Sequence, residues 1–80
     1  MAEDRSRLAV FRVLTPREQS VLAQLMMGHS SEQIASGSAV AISTVRSQIK
    51  SILQKLGVGS QLAAVTMAYQ AGWQLGSTRK

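Results

Sequence analysis

The sequence predicts an all-α fold, a bundle of four short helices behind a short N-terminal arm. Three observations carry that prediction. Apolar residues make up 45% of the 80-residue chain, yet only Phe11, Tyr69 and Trp73 are aromatic, so Leu, Ile, Val, Met and Ala must build the core. Glycines and small hydroxyl residues cut the chain into four segments of helix length. Within those segments apolar residues recur at intervals of three and four, the period of a helix with one buried face. Residues 1–13 read as the arm, 14–75 as a single folded domain and 76–80 as a tail.

The arm offers Leu8, Val10, Phe11, Val13 and Leu14 as residues that can pack on the domain, while the extreme ends, 1–5 and 76–80, are expected to be mobile. The first helix opens at Thr15-Pro16-Arg17-Glu18: Thr15 caps it, Pro16 suits the first helical position, and Glu18 reaches back to complete a capping box. Val21, Leu22, Leu25 and Met26 share one face as core, and Gly28 ends the helix. Ser30 and Gln33 have the same box spacing at the head of a second helix of about two turns, which carries Ile34 and Ala35 and stops near Gly37. Ser38-Ala39-Val40-Ala41 then forms a tight turn.

A third helix runs from Ile42 to Leu56, with Val45, Ile49, Ile52, Leu53 and Leu56 as its apolar stripe and Gly57 as its stop. Ser43, Arg46, Ser47, Lys50 and Gln54 lie on its exposed side. The fourth helix follows Ser60, spans Gln61 to Ala71 and ends at Gly72, with Trp73 folding back on its last turn. It is apolar nearly all round, more than a single core-facing stripe requires. That surplus fits either a partner surface or close packing of small side chains within one molecule.

Charge is distributed unevenly. Residues 1–32 balance Arg5, Arg7, Arg12 and Arg17 against Glu3, Asp4, Glu18 and Glu32, whereas residues 33–80 hold Arg46, Lys50, Lys55, Arg79 and Lys80 and no acid, so the net +5 belongs to the second part. Such a field suits a polyanion, either a nucleic acid or an anionic membrane surface. No apolar run reaches the roughly 18 residues of a bilayer span, and the charged start lacks a secretory pattern, so the chain is expected in the cytoplasm and outside the membrane. Cysteine is absent and His29 is the only histidine, which leaves no metal or cofactor expected. No nucleophile is paired with a base, and there is no phosphate-binding glycine loop or carboxylate cluster, which argues against an enzyme.

A short helix, a tight turn and a longer helix with cations on its exposed face is the sequence form of a helix-turn-helix. A helix about 10 Å across fits the major groove of B-DNA, where its early residues reach base edges. Arg46 and Lys50, one turn apart, can both enter one groove while the apolar stripe faces inward.

The stretch from Leu14 to Trp73 resembles the LuxR/GerE-type helix-turn-helix domain of bacterial transcription regulators. The resemblance rests on Leu14-Thr15-Pro16-Arg17-Glu18, Val21-Leu22, the stretch from Gly28 to Ala35, Thr44-Val45-Arg46, Ile52 to Val58 and Ala64-Val65, in order and without a gap. It implies sequence-specific binding of double-stranded DNA, with the helix from about 42 to 56 in the major groove. The matching base-contacting positions are Arg46, Ser47 and Lys50. Thr44 and Gln48 match positions that touch the DNA backbone, and Ser43 and Gln54 are assigned to it with them. Val45 matches a position packed inward.

The resemblance also implies a homodimer through the fourth helix, with Ala63, Met67 and Gln70 as its contact residues, and RNA polymerase as a further partner. Most members of the family carry an upstream receiver or ligand-sensing domain, and some are single domains of this size. Four departures from the family pattern stand out. Ala41 replaces the usual capping Ser or Thr, a loss that Ser43 could partly recover by starting the helix two residues later. Ser38 replaces a large apolar residue of the turn, and Glu32 stands where a basic or neutral residue is common. His29 replaces an apolar residue and reads as a surface or partly buried histidine. The alternative from another functional class is a protein-interaction module that uses the apolar fourth helix.

Overall fold

A computed structural model of the chain describes residues 8–75, so the expectations for residues 1–5 and 76–80 lie outside the described residues. A 3₁₀ helix, Val10–Val13, leads into four α-helices: α1 (Pro16–Met26), α2 (Ser31–Ser38), α3 (Ile42–Leu56) and α4 (Gln61–Ala71). Among the described residues there is no strand. The central helix is α3, which packs against α1, α2, α4 and the 3₁₀ helix.

Local chemistry sets the helix starts. Thr15 Oγ1 accepts from the Glu18 amide at 3.1 Å and Glu18 Oε1 accepts from the Thr15 amide at 2.9 Å. Ser30 and Gln33 repeat the arrangement at α2, at 3.1 and 2.7 Å. Ser60 Oγ caps α4 through the Ala63 amide at 3.1 Å. The exception is α3, which begins at Ile42 with Ala41 in the cap position and no side-chain bond, so Ser43 does not restart the helix as expected.

All four helices stop in the same way. A residue with positive φ follows the last turn, and the next amide bonds back to a carbonyl five residues earlier: His29 to Gln24, Val40 to Ala35, Val58 to Leu53 and Trp73 to Ala68. At three of these ends the left-handed residue is Gly28, Gly57 or Gly72, as the sequence indicates. At α2 it is Ala39, with φ of 56°, and Gly37 lies inside the helix; the expected stop near Gly37 is therefore two residues early. Glycine permits a helix end without enforcing one, and here the bond from Val40 to Ala35 closes the turn.

One core joins every element. Val21, Leu22 and Leu25 of α1, Ile34 and Ala35 of α2, Val45, Ile49, Ile52 and Leu56 of α3, and Ala64 and Ala68 of α4 are buried in a single cluster. Phe11, Leu14 and Trp73 complete it, with the Phe11 and Trp73 rings stacked at 5.4 Å. Five expected packing residues differ in degree: Leu8, Val10, Met26 and Leu53 are half-buried at the margin, and Val13 is exposed. Phe11 and Leu14 pack inward because the 3₁₀ helix turns one side of the arm onto the bundle, leaving Val13 on the other.

Candidate nucleic-acid interface

Burial of Val45, Ile49, Ile52 and Leu56 decides the orientation of α3, since these four define one side of a 3.6-residue helix. Ser43, Thr44, Arg46, Ser47, Lys50 and Gln54 are consequently exposed. Arg46, Ser47 and Lys50 lie within one turn of each other, and neither cation forms an ion pair with another described residue. Of the residues expected at the interface, Gln48 stands apart. It is half-buried, and its Oε1 is enclosed without a hydrogen-bond partner among the described residues.

A second polar cluster fixes α3 to α1. Glu18 is a buried acid, 7% exposed, whose Oε2 accepts from Ser51 Oγ at 2.7 Å and whose Oε1 accepts from Lys55 Nζ at 2.8 Å. Burial alone would raise the Glu18 pKa. The hydrogen bonds from Lys55, Ser51 and the Thr15 amide, with the charge of Lys55, outweigh it and bring the value down to about 2. The sequence marks Glu18 as a capping residue, but its partners are 33 and 37 positions away, and no local spacing announces them. Lys55 therefore does not belong to a free cationic surface: on α3, Arg46 and Lys50 carry it.

On α4, Ala64 and Ala68 are buried, Ala63 and Met67 are half-buried with Met67 against the core, and Gln70 is exposed. The large apolar side chains that this helix presents outward are Leu62, 74% exposed, and Tyr69, 60% exposed. Tyr69 donates its hydroxyl to the Met26 carbonyl, tying α4 to the end of α1. A helix apolar on every side has no sequence pattern to show which side faces in, so no local spacing marks Leu62 and Tyr69 as exposed. His29 is half-buried, and among the described residues no group of three His, Cys, Asp or Glu side chains could hold a metal ion. No described helix is long and apolar enough to cross a membrane.

Four helices, with a polar, cationic face of α3 directed away from a core shared by its neighbours, define a helix-turn-helix domain of the DNA-binding kind. Residues 12–68 match the family model described as bacterial regulatory proteins, luxR family. The chain belongs to the luxR family of bacterial regulatory proteins. It is also similar to the response regulator protein VraR of Staphylococcus aureus (strain Mu3 / ATCC 700698), Staphylococcus saprophyticus and Staphylococcus epidermidis, 36% identical over 66 residues in each case. The matched segment is 82% of this chain and 32% of each relative, so the chain spans about a third of the length of these regulators. The family is one of DNA-binding transcription regulators and not of enzymes.

Proposed function

We propose that the chain binds double-stranded DNA sequence-specifically, in the manner of a bacterial transcription regulator, by docking α3 in the major groove. The observation that carries this reading is the division of α3 into two sides, with Val45, Ile49 and Ile52 buried and Arg46, Ser47 and Lys50 exposed. Arg46 presents paired donors that match guanine O6 and N7, and Lys50 offers a point charge to a base or a phosphate. Ser43, Thr44 and Gln54 flank them for the DNA backbone, and Gln48 joins them through its amide nitrogen.

The partners of this reading are duplex DNA in the cytoplasm, RNA polymerase, and a second copy of the chain. The second copy meets α4, where Ala63, Met67 and Gln70 form the contact and Leu62 and Tyr69 add exposed apolar area. Two half-sites about one helical turn apart would then match the twofold axis.

A mobility-shift assay on random duplex across a salt series tests the proposal. Roughly three or four phosphate contacts per subunit make affinity fall steeply with salt, about twice as steeply for a dimer. Duplex binding that is unchanged when Arg46 and Lys50 are both replaced by Ala rejects the docking of α3. Leu62→Arg should leave a folded monomer with about half the salt dependence of the dimer.

A second reading, a protein-interaction module, draws support from a groove of about 590 Å³ between the ends of α1 and α4, lined by Met26, Met27, Tyr69, Trp73 and Leu75 among others. Partner binding that persists without any duplex affinity favours it.

A further inference from the structure

Three stripes run along α3. Val45, Ile49, Ile52 and Leu56 face the core, Arg46, Ser47 and Lys50 face outward, and Thr44, Gln48, Ser51 and Lys55, at offsets of four, three and four, lie between them on one flank, where Ser51 and Lys55 meet α1. Glu18 grips this third stripe at two points, Ser51 and Lys55, one turn apart. The grip lies to one side of the apolar stripe.

That placement matters for reading a base. Apolar burial is non-directional and tolerates a small roll of the helix about its axis. A roll of about 20° moves a side-chain tip ~6 Å from the axis by about 2 Å, enough to break a bidentate contact to a base edge. Hydrogen bonds at 2.7 and 2.8 Å are directional and resist such a roll. Glu18 itself is immobilised, because it also accepts from the Thr15 amide in the capping box.

The chain contains its own control for the role of the charge. Gln33 completes the same box at Ser30, so the cap requires only an acceptor oxygen and not a carboxylate. The carboxylate at position 18 answers to α3.

We propose that Glu18 is a positioning residue for DNA recognition: by holding Ser51 and Lys55 it sets the roll of α3 and thereby the sequence specificity of Arg46, Ser47 and Lys50. This rests on the docking of α3 proposed above.

The test begins by selecting duplexes from random DNA with the wild-type chain. Affinities for a selected and a random duplex are then measured across a salt series for wild type, Glu18→Gln, Lys55→Met and Lys55→Arg, each checked for helix content by circular dichroism. Glu18→Gln and Lys55→Met should each lower the ratio of selected to random affinity about tenfold, the size of a lost base contact, while random binding changes less than about twofold. Lys55→Arg, which keeps the ion pair, should retain the ratio.

An unchanged ratio in both Glu18→Gln and Lys55→Met overturns the proposal. So does a parallel loss of both affinities, which is the signature of a role in folding alone. A flatter salt dependence in Lys55→Met with the ratio intact makes Lys55 a phosphate contact and overturns it too. If wild type enriches no sequence, the docking of α3 fails and the role of Glu18 falls with it.

Discussion

The rings of Phe11 and Trp73 stack at 5.4 Å between centroids and 24° between planes, joining the arm to the second residue past α4. Both are buried, and Trp73 also donates its amide to Ala68 at 2.9 Å to close α4. The two ends of the domain therefore complete one core.

Loss of that stack should be costly. Phe11→Ala removes a fully buried ring and leaves Trp73 facing a void, for a loss of about 3–5 kcal/mol. A total stability of about 5–15 kcal/mol is usual for a domain, so this is a large share. Urea denaturation followed by Trp73 fluorescence measures it. A change below about 1 kcal/mol would mean that the arm contributes nothing to the core.

The turn between α2 and α3 is open to improvement. Ala39 holds a left-handed backbone at φ of 56°, and Ala41 leaves α3 uncapped. Ala39→Gly should stabilise by about 0.5–1 kcal/mol, and Ala41→Ser by about 1 kcal/mol. Each kcal/mol raises the Tm of a domain of this size by roughly 4–8 °C, which calorimetry resolves.

Glu18 should make stability depend on acid. Its pKa in the folded chain is lowered to about 2 from an ordinary 4.5, so its contribution is complete above about pH 4.5 and declines as pH falls toward 2. With Lys55 partly exposed, on the order of 2 kcal/mol is at stake. Denaturation of wild type and Glu18→Gln from pH 6 to 2 should show the difference between them shrinking with acid. A constant difference contradicts the assignment.

Arg46 and Lys50 should fail in different ways. Arg46→Ala removes the bidentate donor and should relax sequence preference, narrowing the gap between selected and random duplexes by about 1–3 kcal/mol. Lys50→Ala should weaken binding more evenly and reduce the salt dependence by about one contact. Titration of both duplexes at several salt concentrations separates the two.

The legible parts of this chain were the short-range ones. The boxes at Thr15–Glu18 and Ser30–Gln33, the ends at Gly28, Gly57 and Gly72, and the stripe from Val45 to Leu56 each depend on residues within a few positions of one another. The exposure of Arg46, Ser47 and Lys50 followed, because burying one side of a strongly amphipathic helix turns the other outward. Gly37 misled, since it is permissive at any helical position and the stop fell at Ala39.

Packing decided the rest. Nothing local distinguishes Leu62 from Ala68, and only the approach of α4 to the core exposes one and buries the other. Glu18 shows the same division within one side chain. Its bond to Thr15 is inscribed in a spacing of three, whereas its hold on Ser51 and Lys55 exists only because folding brings α1 against α3. Caps and helix periods act over one turn of backbone, but pairing across helices depends on where whole elements come to rest, and that is set by the shape of the shared core.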